Sequence, residues 1–170
     1  AHLMIRGAEL GAADLASLVA ALVEERDILR GEGGPPPADF TLRVDAVHGR
    51  DGMAQLGGAR VDSNGARRVR ELAGRWRGTL GVAKPAGAAE SPSTAMLLAF
   101  AFPDRIAQRR PDQRTRYRMR NGQGVALGDA AAFGDAEYLV VPETDGKQPE
   151  SRIYLAAPIS FAEIEREFGD

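Results

Sequence analysis

Apolar positions recur along this chain with two different periods, and the change of period divides it. Up to about residue 80 the spacing is helical. Leu15, Leu18, Val19 and Leu22 stand at i, i+3, i+4 and i+7, which predicts a helix over 12–28 with one stripe facing a core. A shorter helix is predicted over 3–9 and ended by Gly11. Phe40, Val44 and Val47 predict a third over 38–48. Val69, Leu72, Ala73 and Trp76 predict a fourth over 64–80, with Ser63 as its cap. Gly31 to Pro37 cannot continue a helix and reads as a loop, and 49–58 reads as irregular.

Beyond a Gly-, Ala- and Pro-rich stretch at 81–92, the period shortens. Residues 93–102 still predict an apolar helix, broken by Pro103. Then Arg116-Tyr117-Arg118-Met119-Arg120 alternates strictly, as a strand does. Asn121-Gly122 predicts a two-residue hairpin turn with both residues at positive φ. Val125 and Leu127 start the return strand, 137–143 predicts a more buried strand, and Asp145-Gly146 marks a turn. Ile153, Leu155 and Ala157 share one face of a strand over 152–157. Ser160 caps a last helix over 161–168, with Glu163 completing a capping box. The pattern therefore predicts an α+β chain: a helical bundle over 1–85, a linker over 86–92, and a small antiparallel β-barrel with a C-terminal helix over 93–170.

Composition narrows the chemistry. The chain has no cysteine, which removes disulfides and Cys-based zinc sites and fits a cytoplasmic location. No run of about 18 apolar residues is present, so no membrane-spanning helix is predicted. The opening Ala1-His2-Leu3-Met4-Ile5-Arg6 is neither an initiator methionine nor a signal peptide, and it reads as the middle of a helix in a longer protein. Aromatics reach only 6%, so the cores are expected to rest on Ala, Leu, Val and Ile.

Catalytic patterns are missing from the sequence. A phosphate loop needs G-x-x-x-x-G-K-[ST], and neither Lys84 nor Lys147 follows such glycines. Gly122-Gln123-Gly124 is read as a hairpin turn rather than a phosphate cradle. His2 and His48 lack partners at ligand spacing, so no metal site is predicted. Ser63 and Ser160 read as caps, acid pairs such as Glu24-Glu25 read as solvated surface, and Trp76 reads as core.

Charge distribution is more informative than the net value of −2. Between Arg105 and Arg120 arginines stand against a single acid, Asp112. Strand alternation puts Arg116, Arg118 and Arg120 on one face at about 6.6 Å per pair, from roughly 3.3 Å per residue. That spacing is near the phosphate repeat of an extended single strand, and Arg105, Arg109 and Arg110 extend the track. Such a face would hold a single-stranded backbone without reading its sequence. The alternative is an ordinary solvated face, or arginines paired with the acids between Asp135 and Glu150.

Several segments resemble a known family. Leu3-Met4-Ile5-Arg6-Gly7-Ala8-Glu9-Leu10-Gly11 and Ala20-Ala21-Leu22-Val23-Glu24-Glu25-Arg26-Asp27 are similar to the helicase-associated region of HrpB-type helicases, bacterial members of the DEAH/RHA group. Phe102-Pro103-Asp104-Arg105-Ile106-Ala107-Gln108-Arg109-Arg110 resembles the family's entry to its β-domain. Tyr117-Arg118-Met119-Arg120-Asn121-Gly122-Gln123-Gly124 and Arg152-Ile153-Tyr154-Leu155-Ala156-Ala157-Pro158-Ile159 also match it. The resemblance implies a ratchet-like helical domain and an OB-like barrel that help form the channel for single-stranded RNA or DNA. ATP, magnesium and the catalytic residues would belong to RecA-like motor domains, and a winged-helix domain would precede this region. No catalytic residue carries over. Arg105, Arg109, Arg110, Arg116, Arg118 and Arg120 are the expected phosphate contacts, with a hydrogen bond from Asn121, and binding by this part alone is expected to be weak. A second expectation is a protein-docking module that makes no nucleic-acid contact. Loops 31–37 and 81–92 resemble nothing assignable.

Overall fold

The computed structural model describes residues 2–49, 56, 58–81, 91–129 and 131–169. They form two compact units, one of residues 1–37 with 41–101, the other of residues 38–40 with 102–170.

The first unit is built on helices α1 (His2–Glu9), α2 (Ala13–Glu24), α3 (Thr41–Val47), α4 (Ser63–Leu80) and α5 (Thr94–Ala101). The 3.6-residue stripe explains why α2 is central. Its Leu18, Val19 and Leu22 are buried, and α2 packs against α1, α3, α4 and α5. Close approach of α1 depends on Gly7, because a Cβ there would collide with the Cβ of Ala16 and press on Leu97. Helix α5 is buried along Ala95 to Phe100 and packs on α1 and α2. The helical unit therefore extends to residue 101, whereas the expected second domain starts at 93.

Three short strands were not legible in the pattern: Ile106–Arg109, in the second unit, and two in the first. β1 (Leu29–Arg30) and β2 (Arg60–Val61) pair antiparallel, ending α2 earlier than the predicted residue 28. Their ladder carries Asp62 to the start of α4. There its carboxylate accepts from the Gly65 N–H at 3.1 Å, so Asp62 and not Ser63 is the cap. The expected irregular segment 49–58 and linker 86–92 fall largely outside the described residues.

The second unit is a closed five-stranded barrel. Its strands are β3 (Ile106–Arg109), β4 (Arg116–Met119), β5 (Gly124–Ala126), β6 (Tyr138–Thr144) and β7 (Glu150–Pro158), in the order β3-β4-β5-β7-β6 with β6 closing on β3. The predicted all-antiparallel barrel needs one correction. β5 and β7 run parallel, because β6 intervenes in sequence and supplies the crossover that parallel neighbours require. Inward residues of all five strands make the core, among them Ala107, Tyr117, Met119, Val125, Leu139 and Ile153. Tyr117 is a large ring in this core, Phe133 packs against the core, and the Tyr117 hydroxyl donates to the Ala136 carbonyl at 2.7 Å. Pro142, which has no N–H, sits where the β6–β7 register shifts.

Residues 38–40, predicted as the first turn of α3, are extended instead. The Phe40 N–H donates to the Ala156 carbonyl and the Ala156 N–H to the Ala38 carbonyl, so this short segment adds to the barrel beside β7. The last helix, α6 (Phe161–Phe168), agrees with its prediction, and Ser160 Oγ accepts from the Glu163 N–H at 3.1 Å.

Candidate nucleic-acid interface

Alternation on β4 does what the sequence predicts. Tyr117 and Met119 are buried, while Arg116, Arg118 and Arg120 are exposed on the outer side. Register then extends a row across the barrel wall, because Tyr138 on β6, Gln108 on β3, Arg118 on β4 and Gly124 on β5 are successive cross-strand neighbours. The Gln108 amide donates to the Tyr138 hydroxyl at 3.5 Å.

The turn after β4 departs from expectation. Gly122 has φ +93°, whereas Asn121 keeps a negative φ. The Gly122 N–H donates to the Met119 carbonyl at 2.8 Å, and the Met119 N–H donates to the Gln123 carbonyl at 2.9 Å. This is a type I turn followed by a glycine bulge rather than a two-residue type I′ turn. Asn121 Oδ1 accepts the Gln123 N–H at 2.9 Å, so half of the side chain expected to reach a ligand instead shapes the turn. Its amide NH2 is the part left to donate outward.

The other candidates differ in their engagement. Arg105 is anchored: it donates to the Pro142 carbonyl at 2.7 Å and lies 5.6 Å from the centre of the Phe102 ring. Arg116 faces Glu150 at 3.6 Å. Arg114, outside the predicted set, faces Asp135 at 3.7 Å. Arg110 crosses over Gly124, where a Cβ would lie 3.0 Å from its Nη2. Arg109 has the inward parity of Ala107 and lies near the Tyr117 hydroxyl. Burial raises the pKa of that phenol, and the Arg109 charge lowers it by a lesser amount. Arg110, Arg118 and Arg120 form no ion pair among the described residues.

Arg109, Arg110, Arg118 and Arg120 line one cleft of about 840 Å³ on the barrel. Asp112 and Glu137 also border it, so the four arginines outnumber the acids two to one. Two aromatic rings line it as well. Phe161, at the start of α6, is 58% exposed, and its ring centre lies 5.9 Å from that of Tyr138 at a tilt of 33°. Sequence reading did not single out Gln108, Tyr138 or Phe161. An aromatic directly after the Ser160 cap was the available signal for Phe161. The partnership with Tyr138 depends on how α6 folds back.

No protein-family model matches the chain. An 80-residue stretch, 46% of the chain, is 40% identical to the ATP-dependent RNA helicase HrpB of Escherichia coli (strain K12), and it spans 10% of that protein. A crystal structure of the E. coli DExH-box NTPase HrpB superimposes on 92% of this chain with a TM-score of 0.58 and 29% identity. A structure of the E. coli DEAH/RHA helicase HrpB covers 88% of it with a TM-score of 0.55 and 22% identity, a likeness of fold. In both cases the chain spans 16% of the solved protein. Shared sequence and shared fold together make this chain the counterpart of a stretch, about a sixth in length, of an HrpB-type DEAH/RHA helicase.

Proposed function

We propose that this chain is an accessory part of an ATP-dependent, HrpB-type helicase, and that its OB-like barrel holds single-stranded RNA or DNA by the phosphates. The observation that carries the reading is that Arg110, Arg118 and Arg120, which form no ion pair among the described residues, gather with Arg109 on one cleft. Arginine forks match phosphate geometry, and barrels of the OB type bind oligonucleotides on a sheet face and its loops. Arg116 and Arg105 play a supporting part, the first held by Glu150 and the second by Pro142. Asn121 offers its amide from the turn.

ATP hydrolysis belongs in this reading to RecA-like domains elsewhere in the helicase, with magnesium. The chain has no G-x-x-x-x-G-K-[ST] to cradle phosphates, so no step of hydrolysis is assigned to it. A cytoplasmic setting goes with that role, and among the described residues no helix is long and apolar enough to cross a membrane. A protein-docking role is the second reading, favoured by the exposed Phe161 and Tyr154 rings.

Anisotropy titration of a labelled single-stranded oligonucleotide, at two salt concentrations, tests the first reading. Neutralising each phosphate should contribute roughly −0.7 to the slope of log K against log salt. Reversing Arg118→Glu with Arg120→Glu should weaken binding at least about tenfold and flatten that slope. Unchanged affinity and slope would exclude the cleft as the nucleic-acid face.

A further inference from the structure

The cleft that the four arginines line is also lined by an aromatic pair, Tyr138 and Phe161, that phosphate binding does not use. Phe161 is fixed at the first position of α6 by the Ser160 cap, yet most of its ring stays in water. Tyr138 packs on that ring, 5.9 Å centre to centre, and is in turn the cross-strand neighbour of Gln108. From Tyr138 to Arg118 is two strand spacings, roughly 10 Å of backbone, which a flexible arginine shortens. An exposed aromatic and a set of unpaired cations therefore border the same groove, at a separation comparable to that between a base and a nearby phosphate of one strand.

Resting on the nucleic-acid reading above, we infer that Phe161, backed by Tyr138, is a stacking platform for a single nucleobase whose flanking phosphates lie on Arg118, Arg120 and Arg110. The geometry decides how the base sits. Inserting it between the two rings would need roughly 6.8 Å, twice the ~3.4 Å step of stacked bases. The ring centres are only 5.9 Å apart and tilted by 33°, so the base stacks on the open face of Phe161. Stacking of this kind tolerates any base, because every base offers a π-face. Charge favours a nucleic acid over an apolar helix as occupant. An apolar helix would give Arg118 and Arg120 no counter-charge, whereas a single strand brings phosphate and ring together.

The test compares two fluorescein-labelled ten-residue probes, an oligouridylate and its abasic ribose-phosphate counterpart, binding to the full chain. The unmodified chain should bind the oligouridylate about tenfold more tightly than the abasic probe. Phe161→Ala should remove most of that difference and leave abasic binding intact, and Phe161→Trp should restore it. Circular dichroism of each variant verifies folding, which an exposed side chain does not endanger. If Phe161→Ala binds both probes like the unmodified chain while Arg118→Glu with Arg120→Glu loses both, the platform is wrong and the phosphate cleft stands. If neither substitution alters binding, both fall. An acidic peptide, polyglutamate, that displaces the oligouridylate at lower concentration than unlabelled oligouridylate does would identify the groove as a protein-docking site and overturn the proposal.

Discussion

The two units differ in how their key arginines are held. In the helical unit three guanidinium groups, those of Arg43, Arg30 and Arg77, are tied to carboxylates. Arg43 is 2% exposed and grips both oxygens of Asp27, at 3.1 and 2.8 Å, while also donating to the Pro37 carbonyl. Arg30 meets Asp62 at 2.9 Å, and Arg77 meets Asp14 at 2.6 Å. On the barrel, Arg110, Arg118 and Arg120 line a cleft and form no ion pair among the described residues. The difference teaches that an arginine count along the sequence says little. What matters is whether the fold delivers a carboxylate to each group, which it does for Arg43 and Arg30 in the helical unit and for Arg116 on β4, but not for Arg118 and Arg120 among the described residues.

The sharpest way to break this comparison is Arg43→Ala. Removing the buried guanidinium leaves the partly exposed Asp27 carboxylate with the Leu29 N–H and water, so the helical unit should lose about 3 kcal/mol. Urea denaturation followed by Trp76 fluorescence, in that unit's α4, should report it, and a loss below about 1 kcal/mol would mean that Arg43 is dispensable.

Packing in the helical unit gives the next effect. Gly7→Ala gains up to ~1 kcal/mol of helix propensity but forces α1 off Ala16, and overpacking typically costs about 1–3 kcal/mol. A net fall in the urea midpoint is expected, and a rise would contradict the close α1–α2 approach.

On the barrel side, Tyr117→Phe leaves the Ala136 carbonyl without its donor and should cost about 0.5–1.5 kcal/mol. Near-ultraviolet dichroism during thermal melting reads this unit's core.

A smaller effect is visible only in acid. The Asp62 carboxyl is held below its ordinary 3.8, chiefly by the Gly65 N–H, against some desolvation and with help from Arg30 and Arg68. A lowered carboxyl stabilises the fold above the unfolded value, and that contribution fades as pH falls through the lower folded value. Asp62→Asn keeps a capping oxygen but cannot titrate, so its stability should decline less steeply than the unmodified chain's below about pH 4. Parallel curves would remove Asp62 from the acid response.

Last, Arg118→Ala with Arg120→Ala should change stability by no more than about 0.5 kcal/mol, since neither side chain has an ion-pair partner among the described residues. A larger loss would mean that these arginines hold the barrel together.

Much of the architecture was readable before any coordinates. The stripe of Leu18, Val19 and Leu22, the alternation around Tyr117 and Met119, and the Ser160 cap with Glu163 each need only a few neighbouring residues to declare themselves. β1 and β2 gave no such sign, because two-residue strands are too short to show a period. Residues 38–40 were read as helix from the Phe40–Val44–Val47 spacing, but hydrogen bonds to Ala156 draw them out as an extended segment. The Asn121-Gly122 pair signalled a hairpin correctly. Its type was settled by the bulge at Gly122, which leaves Asn121 at negative φ.

By itself the sequence located the six α-helices to within their ends, four of the seven strands, and the arginines that share the outer side of β4, because those properties follow from local periodicity. Tertiary structure decided the rest. It set the parallel β5–β7 pairing, the residues that close the barrel, and the division of arginines into paired and free. It also brought the Phe161 ring to Tyr138, more than twenty residues away. Such contacts join distant residues, and no local pattern encodes which partner a side chain will meet when the chain closes on itself.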